Sequence, residues 1–231
     1  MTGPMPLTPE ILLRAYRLGL FPMAASRDAP ELHWVEPKRR GIFPLDRFHI
    51  SRSLRRHILR CGWRISVDED FDGVLAGCAD RSETWINAEI TRVYRALHDE
   101  GHVHSLEVWQ GPDLIGGVYG VVIGAAFFGE SMFSRATDAS KTALAFLIHR
   151  LRAGGFQLFD TQFLTPHLAS LGAVEIPQAR YLAQLALALP LQARFDPPGY
   201  PPEPLPVWVA SGVAVSVAAA SGTSQRSTQT S

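Results

Sequence analysis

Cysteine is scarce in this chain. Cys61 and Cys78 are the only two among 231 residues, and their spacing fits neither a metal site nor a dithiol motif. A disulfide framework is therefore excluded, and a reduced, cytoplasmic setting is expected. Net charge is missing as well. Twenty-two Lys and Arg balance 22 Asp and Glu, so no global field draws the chain to nucleic acid or membrane. Any nucleic-acid contact must come from a local patch. Long apolar runs are absent: residues 207–220 are mildly apolar but too short, and too rich in Ser, Gly and Ala, to span a bilayer. Arg14 and Arg17 interrupt the stretch where a signal peptide would be apolar. There is no glycine-rich phosphate loop of the P-loop or dinucleotide type and no internal repeat. Ser140-Lys141 lacks the spacing of a Ser/Lys nucleophile motif.

What is present is enough chain for one sizeable domain with a small appendage. Thr8-Pro9-Glu10 opens a helix with a hydroxyl cap, Pro at the first position and a carboxylate near the positive end. Gly19 ends it. Phe21-Pro22-Met23 is expected to lead into a polar loop, and residues 33–35 to form a short strand. Helices are expected over residues 51–60, after Asn87 until Gly101, after a capping Asp138 until Gly154, after Thr165 until Gly172, and over 177–189. Strands are expected over 103–110, 114–123, 125–130 and 156–162, the first two joined at Gly111-Pro112-Asp113. Strands followed by helices, with a hairpin between, imply a mixed sheet with helices on both faces. Beyond Pro190 the chain changes character: residues 197–206 are Pro-dense and 211–231 are Ser/Ala/Thr-rich, so 191–231 is expected to form a Pro-rich and then disordered tail.

Three groups of residues bear on chemistry. Asp160 and Gln162 stand two apart in a strand, so they share a face. They end an apolar wall of Phe156 and Leu158, just before a helix, where open α/β sheets hold ligands. Taken alone, the pattern favours a bland reading, with Asp160 as a loop cap and Gln162 paired with backbone. Gly129-Glu130-Ser131-Met132 puts a carboxylate into an apolar run, and chains seldom bury one without a partner or a task. Lys38, Arg39, Arg40, Arg47, Arg52, Arg55, Arg56, Arg60 and Arg64 share a span in which Asp46 is the only acid, which favours phosphate or RNA contact over a solvated face. Of these, Arg52, Arg56 and Arg60 recur at helical spacing. His102 and His104 face one side of a strand, but no third ligand accompanies them, so no metal is expected.

Together these segments resemble the aminoacyl-tRNA–protein transferase family. The likeness is carried by Tyr16-Arg17-Leu18-Gly19-Leu20-Phe21-Pro22, His49-Ile50-Ser51-Arg52-Ser53-Leu54-Arg55-Arg56 and Thr84-Trp85-Ile86. It continues through His104-Ser105-Leu106-Glu107-Val108-Trp109, Gly116-Gly117-Val118-Tyr119-Gly120, Phe128-Gly129-Glu130-Ser131-Met132-Phe133-Ser134 and Ala139-Ser140-Lys141-Thr142-Ala143-Leu144. It ends at His167-Leu168-Ala169-Ser170-Leu171-Gly172-Ala173 and Ile176-Pro177. The resemblance implies an α+β chain: a small N-terminal domain over 1–38 and an N-acyltransferase-like mixed sheet over 39–190. It implies transfer of Leu or Phe, and Met less well, from aminoacyl-tRNA to the N-terminal Arg or Lys of proteins, without a cofactor, by a monomer. By the same likeness Asp160, Gln162 and Glu130 are catalytic. Trp85, Met132, Gly129, Ser131, Met23 and Val118 line the aminoacyl pocket, and Arg52, Arg55, Arg56 and Arg60 hold tRNA. Met23 and Val118 stand where some family members have Trp and Met, and Leu59 where some are basic. A related acyltransferase with another donor, or a non-catalytic RNA-binding module, are the rival readings.

Overall fold

The computed structural model describes residues 7–198 and Tyr200; most of the Pro-rich and Ser/Ala-rich tail lies outside the described residues. A first small unit consists of helix α1 (Pro9–Arg17) and a two-stranded antiparallel sheet of β1 (Phe21–Ala24) and β2 (Leu32–Val35). Thr8 caps α1 by accepting a hydrogen bond from the Ile11 N–H. The loop expected at residues 21–23 is instead β1, pairing Phe21 with Val35 and Met23 with His33. Pro22 is tolerated there because a two-stranded ribbon leaves half its N–H groups unpaired.

The main body is a seven-stranded sheet in the order β4-β5-β6-β7-β8-β3-β9. Its strands are β3 (Arg39–Phe43), β4 (Arg64–Val67), β5 (Val103–Gln110), β6 (Asp113–Ile123), β7 (Ala126–Ser134), β8 (Leu158–Gln162) and β9 (Val174–Pro177). The β5–β6 hairpin turns at Gly111-Pro112, as expected. All neighbours are antiparallel except β7 and β8. That parallel pair meets at only three register positions, the last matching Phe128 to Asp160. Beyond it β7 runs on for six residues while β8 ends at Gln162, so the two strands part into a fork at their carboxyl ends.

Helices cover both faces, as the strand and helix pattern required. On one face lie α3 (Phe71–Ala79), α4 (Ala88–Asp99) and α7 (Gln178–Ala188), with α1 against α4. On the other lie α2 (Arg52–Ile58) and α5 (Ala139–Ala153). Adjacent residues of β6 show the two sides: Gly117 meets Val74 of α3, and Gly116 meets Ala139 of α5. A short α6 (Pro166–Ser170), capped by Thr165, follows β8. Helix α3 has no counterpart among the sequence expectations. Its Gly and Ala residues blur any apolar stripe, although Asp70 caps it through the Gly73 N–H at 2.9 Å.

One further expectation is corrected. Asp138 does not cap α5 with its side chain. It adopts φ 69 and pairs with Lys141 at 2.7 Å, while Ser134 Oγ accepts from the Ser140 N–H at 3.1 Å. The residues that follow Pro190 still pack on the core. Phe195 is buried against Phe127 and His104, and Arg150 donates to its carbonyl at 2.9 Å. Among the described residues no helix is long and apolar enough to cross a membrane.

Candidate active site

Asp160 and Gln162 project to one face of β8, as their spacing required, and Asp160 is completely buried. What buries it is Arg40, on the neighbouring strand β3. The Arg40 Nε donates to Asp160 Oδ1 at 2.9 Å and its Nη2 to Oδ2 at 2.6 Å, the bidentate fork that guanidinium geometry favours. The guanidinium lies between the rings of Phe21 and Tyr181, at 4.6 and 4.5 Å, and its third nitrogen donates to the Gly19 carbonyl at 2.9 Å. Burial, the largest single influence, would pull the Arg40 pKa down, but the charge and hydrogen bonds of Asp160, with Tyr181 and Glu130, together outweigh it and the net shift is upward. Arg40 therefore leaves the basic patch. Arg39 and Arg64 are likewise paired, with Glu175 and Glu69.

Asp160 has further partners. Tyr181 Oη donates to Oδ2 at 2.7 Å, and the Gln162 backbone N–H donates to Oδ1 at 2.8 Å. Four donors thus meet a group with about four acceptor positions. The Gln162 bond holds that residue at φ 63, a left-handed conformation uncommon outside glycine. This turn ends β8 and directs the Gln162 side chain across the fork. Gly41 of β3 lies opposite Gln162; a Cβ there would come within 2.7 Å of the Phe163 carbonyl carbon, so glycine admits the turn.

Across the fork, Gln162 Nε2 donates to Glu130 Oε1 at 3.0 Å. The carboxylate fixes the amide by its N–H side, and Gln162 Oε1 has no hydrogen-bond partner among the described residues. Glu130 owes its position to a β-bulge. Gly120 pairs with Gly129 and Tyr119 with Ser131, so Glu130 is the extra residue of β7, and a bulge re-aims a side chain in this way. The bulge sends Glu130 to the α4 face, where Tyr94 Oη donates to Oε2 at 2.7 Å and Tyr16 Oη donates in turn to Tyr94 Oη at 2.6 Å. Burial pushes the Glu130 pKa up to about 7, against the hydrogen bonds of Tyr16, Tyr94 and Gln162. The tyrosines themselves are pushed well above their usual range by burial. Gly129 is needed for packing, since a Cβ would meet the Phe159 ring at 2.8 Å.

The expected pocket residues divide between the faces. Trp85 and Met23 pack, half-buried, against the core on the Glu130 face, and Ser131 moderates the Cys78 thiol of α3, whose pKa burial pushes up to about 12. Val118 and its cross-strand partner Met132 lie on the α5 face instead. Val118 is buried, whereas Met132 reaches a cavity at the end of β7. On α2, Arg52 and Arg56 are exposed and Arg55 is half-buried, and Arg60, just past the helix end, is exposed too. Among the described residues no cluster of His, Cys, Asp or Glu could hold a metal ion. The residues that sequence reasoning left out of this site are Arg40, Tyr16, Tyr94 and Tyr181. Each looked like patch or core locally, and the one available signal was a polar tip on an otherwise apolar stripe.

A buried carboxylate clamp, an amide beside it and a second carboxylate across the strand fork are laid out by a sequence with close relatives. The profile described as leucyl/phenylalanyl-tRNA protein transferase matches residues 42–186, and that of the family's N-terminal domain matches residues 5–38. The chain belongs to this family. A leucyl/phenylalanyl-tRNA–protein transferase of Cereibacter sphaeroides is 68% identical over 207 residues, covering 90% of this chain and 96% of the relative. Those of Ruegeria pomeroyi and of a Jannaschia species are 68% and 60% identical, covering 80% and 82% of this chain and 88% and 89% of the relatives. Among solved structures, FemX is 11% identical with a TM-score of 0.47, covering 73% of this chain and 66% of that one. The family is one of aminoacyltransferases.

Proposed function

We propose that this chain transfers Leu or Phe, and Met less well, from aminoacyl-tRNA to the N-terminal Arg or Lys of acceptor proteins. The product is marked for N-end-rule degradation. The reaction belongs in the cytoplasm, and one subunit holds every residue it needs. Family membership carries the reaction type. The observation that carries the mechanism is the partnerless Gln162 Oε1 in the fork, next to a fully engaged Asp160.

The aminoacyl ester is already activated. The acceptor α-amine attacks its carbonyl carbon, a C–N bond forms, and the ester C–O bond to the terminal ribose breaks. The amine proton passes to the departing ribose oxygen, relayed by the neighbouring hydroxyl of the tRNA. A free α-amine has a pKa of about 7.7–8.0, so part of it is neutral near pH 7. Gln162 Oε1 accepts a hydrogen bond from that amine and aims its lone pair. Asp160 does not take the proton, because its acceptor positions are filled. It sets the Gln162 backbone instead, and rate comes from positioning two substrates. The charge of Asp160 is matched by Arg40, so attraction for a basic acceptor comes from Glu130. Trp85, Met23, Ser131 and Gly129 border the aminoacyl group on the Glu130 face. Met132, backed by Val118, borders it through the fork. Such an apolar hole separates side chains by only about 1–3 kcal/mol per methylene, so Leu, Phe and Met share it. Arg52, Arg55, Arg56 and Arg60 hold the tRNA.

The test is transfer of labelled Phe from charged tRNA to a peptide beginning with Arg and to one beginning with Ala. Label on the Arg peptide alone is the expected result. Label on neither, with tRNA still bound, would replace this reading with that of an RNA-binding module.

A further inference from the structure

The α2 arginines lie on the α5 side of the sheet and the reacting groups on the other, so the tRNA 3′ end has to pass between them. A cavity of about 450 Å³ opens where it must cross. It lies at the ends of α3 and β7 and the start of α5, and Met132 and Phe133 of β7 form part of its wall. Ser134, its last strand residue, is four residues from Glu130, about 13 Å along a strand. The wall also carries Arg81, Arg135, Ser134, Ser140 and His167.

Its chemistry is that of an anion site. Six arginines of the sheet and its helices have a carboxylate within ion-pair reach: Arg39, Arg40, Arg64, Arg92, Arg95 and Arg150. Among the described residues Arg81 and Arg135 have none. Each is exposed and tethered by one nitrogen to a backbone carbonyl, Arg81 to Met132 and Arg135 to Leu114 at 3.1 Å. Arg135 is further held over the Phe133 ring at 5.1 Å. A guanidinium has five N–H donors, so each keeps several for a ligand. Arg27 adds a third positive charge, its guanidinium donating to the Ala79 and Arg81 carbonyls at 2.7 and 3.2 Å. His167 Nε2 is buried and meets no hydrogen-bond partner. The single carboxylate in the wall is Asp80.

We infer that this cavity binds a backbone phosphodiester of the single-stranded 3′ end of the aminoacyl-tRNA, through Arg81 and Arg135. The inference rests on the transferase reading above and adds a second anchor, separate from the α2 face. Pre-tethered guanidinium groups lose little freedom when they bind, and their position next to Met132 sets how far the terminal adenosine reaches into the fork.

The test uses the full chain, phenylalanyl-tRNA and an Arg-initiated peptide. R81Q/R135Q should raise KM for the tRNA tenfold or more, with kcat within about twofold. The slope of log KM against log salt should fall by about 1.4, roughly 0.7 for each lost single-strand phosphate contact. R81K/R135K should recover most of the affinity. R135Q alone leaves the Arg81–Met132 contact in place and should lower the slope by about 0.7, so a poorly folded double variant does not remove the test. An unchanged slope in these variants overturns the inference even if KM rises, because a structural loss does not alter counter-ion release. Should the wild-type chain transfer nothing, the same slopes are read from tRNA binding. A lowered slope then keeps the phosphate site while the transferase reading fails, and an unchanged slope sinks both.

Discussion

Arg40 and Asp160 stand 120 positions apart in the chain and hold each other through two hydrogen bonds of 2.9 and 2.6 Å, neither side chain more than 1% exposed. Removing one partner strands the other charge in the core, at a cost of roughly 3–5 kcal/mol. Arg40→Met should therefore lower the unfolding free energy by that amount, read as a lower denaturation midpoint with the denaturant slope unchanged. The double variant R40M/D160L should regain most of the loss, since apolar replacement of a buried pair is often neutral. It should still transfer no Phe, because the Gln162 N–H loses its acceptor. A stable and active double variant would show that the pair plays no part in positioning Gln162.

This pair also marks how far local pattern reaches. The two-residue spacing of Asp160 and Gln162 gave the right face, and the apolar residues before Glu130 announced its burial. Arg40 was legible only as one charge in a basic run, because its partner comes from a strand far along the chain. The bulge at Glu130 was hidden for a similar reason: it is a property of the register between β6 and β7, not of either strand. Helix α3 escaped notice because Gly73, Ala76, Gly77 and Ala79 leave few large apolar residues to mark a stripe. The exposed arginines of α2 were readable from helical spacing, since Leu54 and Ile58 fix its buried side.

Gln162 combines a left-handed backbone with a long amide. Asn tolerates φ near +60 better than most residues, so Gln162→Asn should fold with stability within about 1 kcal/mol of the parent. Its amide is one methylene shorter and cannot reach both Glu130 and the attacking amine. Misplacement of about 1 Å costs on the order of 100-fold, and kcat should fall by that factor while KM for the tRNA changes little. Wild-type kcat in this variant would remove the carbonyl from the mechanism.

Glu130 makes stability and rate depend on pH in opposite senses. Its pKa is about 7 in the fold, raised by burial, against an ordinary value of 4.5. Between these values the folded chain holds a proton that the unfolded chain has lost. Stability is thus greatest below pH 4.5 for this group and declines as pH rises to about 7, by roughly 3 kcal/mol in all. Glu130→Gln should flatten that part of the stability profile. The rate should rise over the same range as the carboxylate forms, with a second rise from the acceptor amine. In Glu130→Gln only the amine limb should remain, and a profile identical to wild type would rule out titration of Glu130.

Tyr94 offers a finer adjustment of the same group. Its hydroxyl donates to Glu130 and lowers that pKa. Tyr94→Phe keeps the ring packed and deletes the donor. A hydrogen bond to a charged group contributes about 1.5 kcal/mol or more, close to one pKa unit. The Glu130 limb should therefore move up by about one unit, with kcat at high pH nearly preserved. A limb that stays in place would mean that Tyr94 only packs.

Leu59 interrupts the basic surface of α2. It follows Ile58 at the helix end and is 43% exposed, beside Arg55, Arg56 and Arg60. Replacing it removes no buried contact, so stability should change by less than about 0.5 kcal/mol. A Lys at the C-cap also suits the negative end of the helix dipole. If α2 faces tRNA phosphates, Leu59→Lys adds one cation to that surface. The affinity for tRNA should rise several-fold at low salt, and the salt slope should steepen by about 0.9 if the contact is to duplex. Phe transfer at saturating tRNA should not change. An unchanged slope, together with unchanged binding in R52A/R56A/R60A, would place the tRNA elsewhere and leave α2 as a solvated face.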